Sequence, residues 1–408
     1  MSKALKVVVI GAGLAGLAAI NRLSKSLPNA ELILVDKKKE HHYQPGFTLL
    51  ASGIWNDVNE VIYRNKDYIP SNVRWVQSYV KAFDPDNNQL TTENDEVISY
   101  DYMVVATGLR LGYDKIKGLD VNQIGTKGLG SVYGGPEMAR KTWDAMEEFT
   151  KTGGRAIMTL APTFMKCSGA PLKMTFMLED ALKRAGRTEL DTQINFYSPN
   201  DSIFSVPWVS DDVKRRWKDE LSISPQLRFW RKLIAIDMDK KIATFEDKEG
   251  KTYQEKYDFL HIVPPMFAPD AVLNSKLVVT DGVQKGWLDV NKETLQHNRY
   301  PNVFGLGDIN GTPRGKTAAT IKRSAPIVVH NLLNVINGKK PDQYFNGYTS
   351  CPMVLRKGAA LLIEFDGDAN YDPTFPGVDP LKDSYFAWFI EDLLLKPAYL
   401  SVAKGLIK

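Results

Sequence analysis

The chain holds two cysteines, in Lys166-Cys167-Ser168-Gly169-Ala170-Pro171 and Gly347-Tyr348-Thr349-Ser350-Cys351-Pro352. They lie so far apart in sequence that only the fold can pair them. Two thiols paired beside a redox cofactor make a two-electron relay, because a disulfide takes up two electrons when a nucleophile opens it. A lone cysteine is more often a small buried hydrophobe, but the surrounding motifs argue for reactivity here. Cys167 stands just before an expected helix and beside Lys166, and both features favour its thiolate.

A relay needs a frame for its cofactor. Residues 5–10 are a mostly β-branched run, as a buried parallel strand should be. They lead into Gly11-Ala12-Gly13-Leu14-Ala15-Gly16 and a helical pattern ending near Leu27. Gly11 permits the tight turn, Gly13 a close approach to a pyrophosphate, and Gly16 tight helix packing. Phosphates then sit on the helix N-terminus. A second strand at 31–35 ends at Asp36, where a ribose partner is expected. Lys37 beside it is a further candidate contact in an otherwise solvated lysine turn. No His/Cys/Asp cluster has metal-ligand spacing, and no metal is expected.

Two later strands end in small-residue turns, Ala106-Thr107-Gly108 and Gly307-Asp308. These resemble two further signatures of flavoproteins with two dinucleotide-binding domains, in which the late Asp touches the flavin's ribityl chain. The resemblance implies FAD in the first domain, and a chain that returns to that domain after an insertion. The inserted part has its own strand at 154–160. That strand runs into Ala161-Pro162-Thr163-Phe164-Met165-Lys166-Cys167, where an NAD(P)H site would need glycines. A helix is expected over 172–184, with Pro171 suited to its first turn. The second domain therefore reads as Rossmann-like without a nicotinamide site.

At 408 residues the chain is long enough for two or three domains. Its net charge of +4 is too mild to argue for nucleic acid. A strand beginning by Lys6 leaves no room for a signal peptide. No run of about 18 uncharged apolar residues suggests a membrane-spanning helix.

Taken together, the chain resembles the sulfide:quinone oxidoreductases, in the branch that includes the mitochondrial enzymes. The resemblance rests on both cysteine motifs, His42-Tyr43-Gln44-Pro45, and His261-Ile262-Val263-Pro264-Pro265-Met266. It also rests on Gly286-Trp287-Leu288-Asp289-Val290-Asn291 and Lys316-Thr317-Ala318-Ala319. It implies an α/β fold of two Rossmann-like domains, the second inserted in the first, with a C-terminal amphipathic helical region for membrane contact. The expected divisions are 1–115 with 280–340 for FAD, 116–279 for the second domain, and 341–408 for the C-terminal region.

By the same resemblance, hydrosulfide opens a bridge between the cysteines and leaves a persulfide on one. The other, now a thiolate, attacks or donates charge to the flavin C4a, and two electrons pass through FAD to a membrane quinone. Cys351 is expected to carry the persulfide and Cys167 to face the flavin, although other branches run the opposite order. Gln44, Lys316 and Thr317 are implied flavin contacts, and Lys316 would stabilise negative charge on the reduced ring. His42 could approach the ring, whereas His261 reads as a core histidine. Some branches tether the flavin through a third cysteine. None stands at 113–135, so FAD is expected to bind non-covalently.

Residues 353–356 and 359–365 are expected as a strand pair, and 366–380 as a loop. Residues 384–395 carry Tyr385, Phe386, Trp388, Phe389, Ile390, Leu393 and Leu394 at helical spacing, with Pro397 ending or kinking the run. An aromatic stripe is usually core, but here it accompanies a water-insoluble acceptor and suits a helix lying in the bilayer interface. Peripheral membrane association at the cytoplasmic face, and a homo-oligomer, are the corresponding expectations. The rival readings are the flavoprotein subunit of a sulfide dehydrogenase flavocytochrome, an NADH:quinone oxidoreductase, and a flavin-containing sulfide sensor without turnover.

Overall fold

A computed structural model describes residues 4–313 and 315–407. Its frame is two five-stranded parallel sheets. In the first, Lys6–Ile10 lies between Tyr102–Val105 and Glu31–Val35, with Val303–Gly305 and Val73–Val76 at the edges. Its central strands are apolar without alternation because both faces are covered. Val7 and Val9 join Leu17 and Ile20 of the Leu14–Ser26 helix and Val328 of the Ala318–Ile336 helix. Val8 and Ile10, on the other face, meet Phe83, Leu90 and Ile98 of a small antiparallel sheet.

The second sheet is built between the fourth and fifth strands of the first. Its order is Leu129–Gly130, Phe259–His261, Gly154–Thr159, Thr192–Tyr197 and Gln226–Arg228, parallel throughout. The Pro136–Thr152, Ala170–Arg184 and Pro207–Asp219 helices lie along one side, packing Phe149, Phe176 and Trp217 into the core. A three-stranded antiparallel sheet covers the other side, where Phe245 stacks on Tyr197 with ring centroids 4.2 Å apart. The helix expected over 172–184 begins at Ala170, with Pro171 in the first turn, where its missing N–H costs nothing.

The C-terminal region departs from its expected outline in two places. The strand expected at 359–365 is broken. Ala359–Leu361 pairs with Met353–Arg356, while Glu364–Phe365 pairs with Thr349–Ser350. The break lets Cys351 N–H donate to Ile363 O at 2.8 Å, which fixes the second cysteine in the hairpin. The helix expected over 384–395 is likewise divided into Tyr385–Phe389, a π turn at Ile390–Leu394, and Leu395–Ala403. Pro397 falls in the first turn of the last piece, so it neither ends nor breaks the helix.

This tail packs back on the first domain. Tyr399 Oη donates to His42 O at 3.2 Å, Lys396 pairs with Glu60 at 3.2 Å, and Asn21 Nδ2 donates to Ala403 O at 3.1 Å. Trp388 and Ile390 are buried, while Tyr385 is 69% and Leu393 56% exposed. Among the described residues no helix is long and apolar enough to cross a membrane.

Three buried histidines set an acid limit on this fold, His297 among them because burial lowers it too. Burial pushes His41 down to about 4 and His261 down to about 3, so both stay neutral when folded. The unfolded chain would protonate them near pH 6.5. Their contribution is therefore complete above that pH and lost as pH falls toward the folded values. Each should cost about 2 kcal/mol by pH 5. In urea unfolding, His261→Leu should remove about 2 kcal/mol of the loss between pH 7 and 5; an unchanged pH slope would refute this.

Candidate active site

The first βα turn is shaped by close backbone contact. Gly11 has φ of 102°, and a Cβ there would lie 2.4 Å from Ala106 O, so strand and turn can meet only at a glycine. Asp36 takes Ala12 N–H on Oδ2 at 2.6 Å and Lys38 N–H on Oδ1 at 2.8 Å, bracing the turn from the next strand. The Leu14–Ser26 helix starts with no side-chain cap and no acid in its first turn. A Cβ on Gly13 would meet nothing within 4 Å, so the open N-terminus is approachable. Thr107 Oγ1, in the neighbouring turn, is buried with no partner. Free N–H groups, open space and an orphaned hydroxyl fit the phosphates and polar chain of a dinucleotide.

The other expected contacts surround this turn. Gly307, with φ of 84°, lies against the methyl of Ala15 and joins the late strand to the glycine turn. Lys37 pairs with Glu93 at 3.2 Å. Exposed Gln44 accepts a bond from Lys166 Nζ at 2.7 Å. His41, rather than His42, faces the glycine turn, with Nδ1 3.4 Å from Ala12 O; His42 pairs with Glu40.

Lys316 is 6% exposed and donates to Asp308 O at 2.6 Å and Asn310 O at 2.9 Å. Its ammonium stands 3.7 Å from the centroid of the Trp287 ring. Burial pushes this lysine down to about 7, while nearby Asp308 opposes the fall. Burial likewise raises the Asp308 carboxyl, against Lys316 and Lys166. Thr317 caps the Ala318–Ile336 helix by accepting from Thr320 N–H, and its hydroxyl meets Thr349 Oγ1 at 2.7 Å. That bond joins the nucleotide frame to the strand before Cys351.

The two cysteines meet. Their thiols interact with each other, which draws Cys167 down and pushes buried Cys351 up. Cys351 Sγ fills the space over Gly169, where a Cβ would come within 2.2 Å of it. Cys167 has φ of 43°, unusual for a residue with a side chain. Its N–H donates to Lys316 O at 3.0 Å, and its carbonyl accepts from Tyr133 Oη at 3.1 Å and Ala170 N–H at 2.9 Å.

The cation with the larger influence on the Cys167 thiol is Lys173, rather than Lys166 as expected from sequence adjacency. Lys166 turns to Gln44 and is itself pushed down to about 8 by burial. Lys173 forms a buried pair with Glu391 of the π turn, 2.8 Å away. Sequence reasoning missed Lys173, Glu391 and Tyr133, since nothing local marks them. The only available sign was a lysine among the apolar residues of the Ala170–Arg184 helix.

A cavity of about 560 Å³ opens on the thiols. Cys167, Cys351, Lys316, Thr317, Trp287 and Phe204 are among its walls. Residues of the 160–168 loop, from Leu160 to Met165 and then Cys167 and Ser168, form part of its wall. A second cavity of about 470 Å³ lies under the tail, among Trp55, Tyr385, Trp388 and Lys396.

Asp36→Ala removes the carboxylate that braces the glycine turn. It should weaken retention of the flavin on the order of tenfold or more, because charged hydrogen bonds of this kind contribute about 1.5–3 kcal/mol. Flavin fluorescence released on gel filtration measures this, and wild-type retention would refute it.

Residues 5–135 match the family described as pyridine nucleotide-disulphide oxidoreductase. The chain is 35% identical to the mitochondrial sulfide:quinone oxidoreductase of Dictyostelium discoideum, over 97% of this chain and 84% of that one. It is 34% identical to the mitochondrial enzyme of Mus musculus, over 91% of this chain and 80% of that one. The solved sulfide:quinone oxidoreductase of Aquifex aeolicus shares the fold, with a TM-score of 0.79, 21% identity, and coverage of 99% of this chain and 92% of its own. The parallel sheets, the nucleotide cradle and this likeness over nearly the whole chain lead to one assignment: the chain is a flavin-dependent oxidoreductase belonging to the sulfide:quinone oxidoreductase family.

Proposed function

We propose that this protein oxidises sulfide through Cys167 and Cys351 and passes the electron pair through non-covalently bound FAD to a membrane quinone. The observation that carries the reading is the thiol pair in one wall of a cavity that Lys316 and Thr317 of the nucleotide frame also line. Gly11, Ala12, Gly13, Leu14, Ala15, Gly16 and Asp36 would hold the dinucleotide, with Ala106, Thr107, Gly108, Gly307 and Asp308 beside it. When bound, FAD supplies a two-electron acceptor between sulfur and quinone.

The cavity admits hydrosulfide to the cysteines. In the oxidised state their sulfurs form a bridge, and hydrosulfide attacks it at Cys351. The bridge bond breaks, Cys351 keeps the new sulfur as a persulfide, and Cys167 departs as a thiolate. A thiolate is the better leaving group when its protonated form is the more acidic, and Cys167 is the thiol drawn down. The left-handed backbone of Cys167, pinned at both N–H and C=O, keeps its sulfur aimed at its partner. Lys316, when protonated, places positive charge beside the cradle, and the negative charge added by reduction would favour that protonation. The persulfide sulfur then leaves on an acceptor or as polysulfide through the same cavity.

Anaerobic titration of the flavin-loaded protein tests this directly. Sulfide should bleach the visible flavin band, and Cys167→Ser should slow bleaching at least on the order of a thousandfold by removing the thiol relay. NADH should leave the band intact, since the 160–168 loop lacks the glycines that close approach of a pyrophosphate needs. Bleaching by NADH with silence toward sulfide would favour an NADH:quinone oxidoreductase instead.

For the quinone arm, the exposed side chains of Tyr385, Phe386, Phe389 and Leu393 would enter the bilayer interface, with the second cavity beneath them. Phe386→Ser with Leu393→Ser should cut vesicle binding on the order of tenfold or more, as each side chain forfeits about 1.5–3 kcal/mol of burial. Turnover with a short, water-soluble quinone should persist. Unchanged co-sedimentation with vesicles would count against a membrane-facing tail.

A further inference from the structure

Lys173 lies in the first turn of the Ala170–Arg184 helix, where the free N–H groups make a cation unwelcome. Its side chain is only 4% exposed, so the ammonium has also given up its water. The compensating charge comes from Glu391, 2% exposed and 2.8 Å away, in the π turn of the tail. Buried pairs seldom make a fold more stable than well-packed apolar residues of similar size would. Glu391 Oε2, moreover, is buried without a hydrogen-bond partner. Helix stability therefore does not account for this lysine.

The thiols do. Lys173 follows Gly169 by one helical turn on the same face, and a helical side chain leans back toward the preceding turn, where Cys351 Sγ occupies the space over Gly169. Cys167 stands two residues before that glycine. The ammonium thus favours the charged form of both sulfurs, and Glu391 first, then the two sulfurs, hold the ammonium charged. Other groups facing the pair give no comparable steady charge. Burial keeps Tyr133 protonated, Lys166 is pushed down to about 8, and Glu391 opposes Lys173.

We propose that Lys173, held in place by Glu391 of the C-terminal segment, is a positioning residue that stabilises negative charge on the cysteine pair. The role rests on the proposed sulfur relay for its purpose, but the electrostatics concern the thiols alone. The tail then does more than face outward: its π turn completes the charge balance of the reacting sulfurs.

The test is the pH dependence of iodoacetamide alkylation at Cys167, followed by mass spectrometry in the flavin-loaded protein after the cysteine pair has been reduced. Lys173→Met should raise the midpoint by about one pH unit or more, and Lys173→Arg should keep it near wild type. Should Lys173→Met fold poorly because Glu391 is stranded, the double variant Lys173→Met with Glu391→Gln removes both charges and should still show a raised midpoint. A wild-type midpoint in both methionine variants overturns the proposal, whatever happens to their urea stability. If the wild type fails to oxidise sulfide while the midpoint still moves with Lys173, the relay reading falls and the role of Lys173 stands.

Discussion

The peptide unit at Cys167 is where the halves of this molecule are fastened together. Its left-handed backbone costs about 1–2 kcal/mol for a residue with a side chain, and it persists because both polar groups are claimed from different directions. Lys316 O, from the loop after the last strand of the first sheet, takes the N–H. Tyr133, from the turn between the first strand of the second sheet and the Pro136–Thr152 helix, holds the carbonyl together with Ala170 of the adjoining helix. Release any of these and the sulfur loses its aim. The contact with Cys351 and the shape of the cavity wall depend on this junction.

Around it stand three lysines, two of them buried, each answered differently. Lys316 is satisfied by two backbone carbonyls, which neutralise little of its charge and leave a field for an electron-rich neighbour. Lys166 meets a neutral amide, Gln44. Only Lys173 has a carboxylate, and that carboxylate arrives from the far end of the chain. A fold selected for stability alone would not bury two lysines around one cysteine. Sites that break local rules in this way are commonly the functional ones.

The features legible in the sequence were those that the chain settles within a few dozen residues. The strand, glycine turn, helix and Asp36 all lie in one βαβ unit, so their spacing carries their geometry. The missing glycines at 161–167 were readable for the same reason. Misplaced details depended on distant partners. Lys166 is next to Cys167 in sequence, but a side chain beside a left-handed residue need not share its direction, and it turns to Gln44 instead. Lys173 and Glu391 resemble ordinary helix surface residues until the tail folds back. The aromatic stripe at 384–395 was visible as a pattern, yet its periodicity could not disclose a π turn, which one wider turn inserts without changing residue types.

Gly169 and Cys351 share a single volume: the sulfur of one occupies the place where the other would carry its first side-chain atom. In evolutionary terms that exclusion would couple the two positions as one inherited character. No residue larger than glycine can enter at 169 while a sulfur remains at 351, and a lineage that lost the sulfur would free 169 to drift. Descendants of this fold that have abandoned thiol chemistry should betray it first by an alanine or serine at a position that touches no substrate.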